Sequence, residues 1–95
     1  MEKLISVLQQ FPLQERQYLD REGQNQVFAS RGFVLSTGID TFYAEMTGDY
    51  ARSQAAVQFD PQVMHMAQMQ MSLREFKDKE GNTRYSNEIR ITKLI

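Results

Sequence analysis

Basic and aromatic residues lie close together near the end of the chain, in the stretch LREFKDKEGNTRYSNEIRI (Leu73 to Ile91). Its basic residues are Arg74, Lys77, Lys79, Arg84 and Arg90. Single-stranded nucleic acids are held by Lys or Arg on phosphates and by aromatic rings stacked on bases. A hairpin with these cations and Phe76 could therefore clamp a flexible charged strand. The alternative is that the hairpin's carboxylates pair with its cations and leave a neutral ribbon, each surface pair contributing little stability.

Tyr43 is the best stacking candidate in the rest of the chain. In TFYAEMT (Thr41 to Thr47), the apolar residues Phe42, Ala44 and Met46 alternate with the others. Successive side chains of a strand point to opposite faces, so Tyr43 is predicted on the solvent face. The alternative is a tyrosine that covers the sheet or contacts another subunit. Further candidates upstream are Arg16, Tyr18 and Arg31.

Two similar turn signals indicate two hairpins. YLDREGQ (Tyr18 to Gln24) resembles FKDKEGN (Phe76 to Asn82), and each has a glycine where a tight reversal needs one. Residues after the first turn alternate up to Gly38, which predicts a strand. The segment KLISVLQQ (Lys3 to Gln10) has apolar spacing that fits a helix or a strand, and Pro12 ends it.

The segment from Gln62 to Lys79 carries conflicting signals. Asp60 could cap a helix, with Pro61 as its first residue and Gly81 beyond its end. From Ala67 onward, however, apolar and polar residues alternate strictly, which predicts a strand. The alternation changes phase between Met64/Met66 and Met69/Met71, which predicts a bulge or the start of the strand near that point. The last hairpin then has its turn at Glu80, Gly81 and Asn82.

These elements follow one another in a recognisable order. Two hairpins, a middle strand and one short helix in DYARSQAAVQF (Asp49 to Phe59) give the element order of the OB-fold. The predicted fold class is therefore all-β with one short helix, a five-stranded Greek-key OB-fold barrel formed by a single domain of residues 1–95.

Composition is ordinary for a soluble domain. Of the 95 residues, 41% are hydrophobic and 24% are charged, and none is cysteine, which excludes disulfides. The net charge is -1, but residues 1–73 carry -3 and residues 74–95 carry +2. A nucleic-acid partner needs a basic face and not a basic total, so this distribution keeps such a partner open. No apolar run approaches the roughly 18 residues of a membrane span, and a cytoplasmic location without membrane contact is expected.

No motif of an enzyme appears in the sequence. It has no Gly-rich phosphate loop and no recognisable nucleophile or H-E-x-x-H motif. His65 is the single histidine, and with no cysteine it makes a poor metal site, so a structural or solvated role is expected. We therefore expect a binding protein without catalytic residues, metal or cofactor.

The final hairpin is similar to that of the bacterial single-stranded DNA-binding protein family, in the pattern L-R-x-F-x-D-x-x-G-x-x-R-Y-S-x-E-I from Leu73. Weaker similarities are FVLST at Phe33, GDYAR at Gly48 and PLQER at Pro12. The resemblance implies that Phe76 stacks on a base, and its sharing a face with Arg74 supports exposure. By contrast Tyr85, on the apolar face with Ile89 and Ile91, is expected to be structural.

The chain also departs from this family. Thr47 stands where an aromatic usually precedes the glycine that opens the helix, Thr41 lies near the usual tryptophan, and no acidic terminal peptide follows Ile95. The resemblance therefore implies a minimal, homo-oligomeric (dimeric or tetrameric) domain of phage, plasmid or primosome type, active in DNA replication or recombination. Its expected partner is single-stranded DNA, bound with little sequence preference. The alternatives are a protein-interaction adaptor for a replication or recombination protein, and RNA binding by the same stacking.

Overall fold

The computed structural model describes residues 1–95 and is mostly β-strand. Its elements in chain order are β1 (Glu2–Gln10), β2 (Gln14–Leu19), β3 (Asn25–Ser36), β4 (Thr41–Thr47), α1 (Gly48–Ser53), β5 (Met64–Lys77) and β6 (Thr83–Leu94). This confirms the predicted class, β-rich with one short helix. That helix is neither long enough nor apolar enough to cross a bilayer.

The six strands form one sheet whose hydrogen bonding closes into a ring. The strand order is β1-β5-β6-β4-β3-β2, and β1 pairs in addition with β3. Glu2–Ser6 of β1 pair with β5, and Ser6–Gln10 pair with the second half of β3. One strand thus joins both neighbours and closes the ring, while β2 pairs only with the first half of β3. All pairings are antiparallel except that of β4 with β6.

The structure has six strands where the sequence predicted five. The ambiguous segment at Lys3 to Gln10 is a strand, and Pro12 separates it from β2 because proline cannot donate a ladder hydrogen bond. The side chain of Gln10 joins this segment to the loop before β5. Its amide donates to the carbonyl oxygen of Phe59 and its oxygen accepts from the amide of Phe59, both at 2.8 Å.

The core lies inside the ring and comes from alternate positions of the strands. Its twelve clustered buried residues are Ile5, Val7, Phe33, Leu35, Ala44, Met46, Ala51, Phe59, Ala67, Met69, Ile91 and Leu94. Helix α1 contributes Ala51 and contacts β3 and β4. The hydroxyl of Tyr50 accepts a hydrogen bond of 2.7 Å from the amide of Leu94, which ties the helix to the end of β6.

The two predicted hairpin turns share one set of hydrogen bonds. In the β2–β3 turn, the Asp20 carboxylate accepts from the amides of Glu22 and Gln24. In the β5–β6 turn, Asp78 accepts in the same way from residues 80 and 82. Each turn also has a glycine with positive φ, 77° at Gly23 and 81° at Gly81, where a side chain would be strained.

The last hairpin extends beyond the core. Strand β5 begins at Met64, before the phase change, and its pairing with β6 shifts register between Gln68 and Met69, which confirms the bulge predicted near that point. Every residue of β5 after Met69 is exposed. The expectation that Tyr85 is structural is wrong, because its side chain is 63% exposed. The apolar alternation of β6 continues along the strand beyond the point at which the ring of strands covers the face of Ile89 and Ile91.

Candidate functional site

A groove runs between two projecting hairpins, and it contains several of the predicted site residues. Arm 1 is the β2–β3 hairpin (residues 14–30), arm 2 is the outer β5–β6 hairpin (residues 70–90), and β4 lies between them. The polar and aromatic side chains that line the groove are Gln14, Arg16, Phe28, Ser30, Phe42, Tyr43, Glu45, Thr47, Ser72, Arg74, Asn87, Glu88 and Arg90. The ring of strands therefore brings residues from distant parts of the sequence to one surface.

Tyr43 lies on the exposed surface that its alternation predicted. It is 53% exposed, and its ring centroid lies 6.4 Å from that of Phe11 with the planes tilted by 46°. Partial burial, with the nearby charge of Glu45, raises the pKa of the Tyr43 phenol above its ordinary value of 10.0. The ring is therefore uncharged at neutral pH and can stack on a base without repelling the phosphates beside it.

Arm 2 continues the surface of the groove toward its tip. Arg74 lines the groove, and Phe76 follows on the same face of β5, 39% exposed. The guanidinium carbon of Arg74 lies 5.5 Å from the centroid of the Phe76 ring, so the cation covers part of the aromatic face. Arg84 is the register partner of Phe76 on β6. One face of arm 2 thus presents an aromatic ring between two arginines.

The cations of arm 2 divide into paired and unpaired ones. Arg74 lies 3.6 Å from Glu88, and Arg84 lies 2.9 Å from Asp78, so these two are pairs of the kind that would leave a neutral ribbon. Three make no ion pair: Lys77, Lys79 and Arg90. Arg90 lines the groove, and its backbone is in register with Glu45 of β4. The arm therefore keeps unpaired positive charge at its base and at its tip.

Arg31 is not on this surface, which corrects its prediction as a nucleic-acid-binding residue. Its side chain is 1% exposed. Its Nε donates to the carbonyl oxygen of Phe11 at 2.8 Å, and its terminal nitrogens donate to the Gln54 carbonyl and the Gln10 side chain. Burial lowers its pKa below the ordinary value. These contacts give Arg31 a structural role.

Phe28 is a groove residue to which the sequence analysis gave no function. It is exposed on β3 and pairs in register with Arg16 of β2, so arm 1 presents a ring and a cation opposite those of arm 2. Alternation places Phe28 on the face away from the core, and an exposed phenylalanine on that face was the available signal. Arg16, a secondary candidate, lines the groove as well.

A second exposed surface is apolar and lies on the outer side of β1 and β5. Leu4 is in register with Met66, and Ser6 is in register with Met64. Leu8 continues the row on β1, and all four large side chains are exposed. We call Leu4, Leu8, Met64 and Met66 the outer patch. It carries no charge, which is typical of the centre of a protein interface.

Comparisons with protein-family models and with curated proteins find no match for this chain. The structure has no group of three or more His, Cys, Asp or Glu side chains that could hold a metal ion. The family resemblance therefore depends on the quoted residues, and the site is interpreted from its own geometry.

Proposed function

We propose that this protein is an OB-fold domain that binds single-stranded DNA with little sequence preference, in DNA replication or recombination. The observation that carries the proposal is the groove between the two arms. It brings Tyr43, Phe28 and three arginines (Arg16, Arg74 and Arg90) to one surface, and Phe76 extends that surface along arm 2. Aromatic rings beside cations are what a single strand requires.

The strand arrangement supports the OB-fold part of the proposal. A ring of strands with one short helix before the last hairpin matches the element order of that fold. OB-folds bind oligonucleotides on one strand face between projecting loops. The groove has β3 and β4 as its floor and the two arms as its walls, and this arrangement supports the proposed comparison with that face.

The mechanism follows from the chemistry of the lining residues. Bases stack on Tyr43 and Phe76, and each stacked base contributes about 1–3 kcal/mol. Arg90 at the base of arm 2, with Lys77 and Lys79 near its tip, contacts phosphates and releases counterions. Because every base has a flat face and every nucleotide a phosphate, these contacts select no sequence. The Arg74–Glu88 and Arg84–Asp78 pairs can exchange a carboxylate for a phosphate.

The outer patch supports the homo-oligomeric part of the proposal. Two copies can pack this surface against each other around a two-fold axis, since each contributes the same residues. Leucine and methionine then leave water, and no charge is buried in the process. The patch lies on β1 and β5, away from the groove residues of β3 and β4, so pairing leaves the groove free.

A second candidate function is that of an adaptor for a replication or recombination protein. The observation that favours it is the back of arm 2, where Leu73 and Tyr85 are exposed on the face opposite Phe76. A partner protein could cover these apolar side chains. The adaptor and the DNA-binding protein differ in whether the groove binds a nucleic acid by itself.

A titration with labelled oligonucleotides tests the proposed function. Fluorescence anisotropy of labelled oligo-dT at low salt is expected to give saturable binding, with a duplex of equal length as a weak competitor. Titration with oligo-U of equal length separates DNA binding from RNA binding. If neither the single-stranded oligonucleotides nor the duplex bind, the proposal is contradicted and the adaptor is favoured.

A further inference from the structure

Gly32, in the middle of β3, lies directly under the ring of Tyr43. A Cβ atom built at Gly32 would lie 2.1 Å from the Tyr43 hydroxyl oxygen and 2.7 Å from the ring carbon that bears it. Atoms cannot approach that closely, so any side chain at position 32 would displace the ring. Glycine within a strand often marks such a close approach.

The position of the ring follows from the strand register. Tyr43 of β4 is opposite Val34 of β3, and Gly32 is opposite Glu45. The phenol therefore crosses β3 diagonally, over the backbone of Gly32, and reaches the side of Phe11. Gly32 is the one residue on this part of the outer face that has no side chain to block this path.

Phe11 is held firmly beside Tyr43. Its amide donates to the carbonyl oxygen of Gly32 at 3.0 Å, and its carbonyl oxygen accepts from Arg31 at 2.8 Å. Both bonds come from β3, so the backbone of Phe11 is fixed although it lies between β1 and β2. Phe11 as a whole is 40% exposed, so it is accessible to a ligand.

We infer that Gly32 is a positioning residue for the Tyr43 ring, and that Phe11 and Tyr43 together form a two-ring platform on which nucleic-acid bases stack. The platform extends the binding surface from the groove, across β3, to the junction of β1 and β2. This inference depends on the proposed function for its ligand. It adds Phe11 as a contact residue, which neither the composition of the chain nor the position of Phe11 in the sequence indicated.

A double-mutant cycle with labelled oligo-dT tests the positioning role. Gly32→Ala and Tyr43→Ala are each expected to weaken binding about five-fold or more, the low end of what loss of one stacked base costs. The double variant is expected to bind no more weakly than Tyr43→Ala alone, because Gly32 acts only through that ring. Additive losses in the double variant, or wild-type affinity of Gly32→Ala, would overturn the inference.

Phe11→Ala tests the second ring independently of Gly32. It is expected to weaken binding about five-fold or more, again the low end for one base. Ile39→Ala is the matched control, because Ile39 is an exposed apolar residue of the β3–β4 turn outside the groove, and it should bind like the wild type. Equal affinity of the Phe11 variant and the control would exclude Phe11 from the platform.

A measurement without DNA separates failure of this inference from failure of the proposed function. In the free wild-type protein, nuclear Overhauser contacts are expected from the Tyr43 ring to the Gly32 α-protons and to the Phe11 ring. In Gly32→Ala, the contacts between the Tyr43 and Phe11 rings are expected to be lost. Absence of these contacts would overturn the positioning role whatever the protein binds. If the contacts are present but the wild type binds no oligonucleotide, the proposed function fails, and with it the stacking on Phe11.

Discussion

The Nε atom of Arg31 lies 2.8 Å from the carbonyl oxygen of Phe11, in the segment where the chain passes from β1 to β2. A buried arginine thus holds the junction at which arm 1 leaves the ring of strands. The same guanidinium lies 5.0 Å from the centroid of the Phe33 ring and 5.9 Å from that of Phe59, so aromatic faces surround the buried charge.

Replacing Arg31 with alanine is expected to lower the free energy of unfolding by about 3 kcal/mol. The reason is that two carbonyl oxygens, of Phe11 and Gln54, lose their donor, and each unsatisfied buried acceptor costs about 1–3 kcal/mol. Urea unfolding followed by circular dichroism measures the change. Arg21→Ala, in the exposed turn of arm 1, is the control and should be nearly neutral. Equal stabilities of the two variants would contradict the structural role of Arg31.

The tip of arm 2 is expected to lose order only in acid. The hydrogen bond from Arg84, followed by that from the Asn82 amide, lowers the pKa of Asp78 below its ordinary value of 3.8. A carboxylate with a lowered folded-state pKa stabilises the turn above the unfolded value and loses this contribution as the pH falls through the folded value. The Glu80 and Asn82 amide shifts should therefore titrate with a midpoint below 3.8.

Asp78→Asn supplies the control for this titration. In this variant the acceptor of the two amides cannot ionise, so the acid transition that depends on Asp78 should disappear from the Glu80 and Asn82 amide shifts. A midpoint at or above 3.8 in the wild type would mean that these hydrogen bonds do not favour the charged form.

The two exposed aromatics of arm 2 should differ in their effect on DNA binding. Phe76→Ala is expected to weaken oligo-dT binding about five-fold or more, the low end for one lost stack, because it removes the ring beside the groove. Tyr85→Ala is the matched control, since its register partner is Glu75 and its ring is on the opposite face. Competition titrations measure both. Losses confined to Tyr85→Ala would place the nucleic acid on the back of the arm.

The outer patch should determine the oligomeric state. Light scattering is expected to show a dimer or a tetramer for the wild type and a monomer for Leu4→Asp, because a carboxylate would be buried without a partner in the interface. Leu73→Asp, a change of the same kind on the back of arm 2, should leave the oligomer intact. A monomeric wild type would contradict the assignment of the outer patch as a subunit interface.

Local alternation was sufficient to predict most of the strands. The polar and apolar positions of Thr41–Thr47 and of the chain from Ala67 to Met69 matched the exposed and buried positions of β4 and of the inner part of β5. The similar turns at Asp20 and Asp78 were visible as similar sequences, because the aspartate and glycine that form them occupy fixed positions. Such features depend on neighbours in the sequence.

The errors arose where contacts between residues distant in the sequence determine whether a side chain is buried. Arg31 lies on the same face of β3 as Ala29 and Phe33, so its position indicated the core, but a charged side chain was assumed to be exposed. Only the approach of Phe11 and Gln54 from other elements makes its burial possible. For Tyr85 the reverse holds, because alternation gives the face of a strand but not the point at which the core ends along it. The pairing of β1 with both β3 and β5 likewise has no local signal.

The salt dependence of oligo-dT binding tests the central claim most directly. If about four phosphates are contacted in the groove and along arm 2, the logarithm of the association constant should fall with the logarithm of salt concentration with a slope near -3, at about -0.7 per phosphate. Arg90→Gln should make the slope shallower by about 0.7, whereas Lys93→Gln, outside the groove, should leave it unchanged. Binding that is absent at low salt, or that does not depend on salt, would contradict the account.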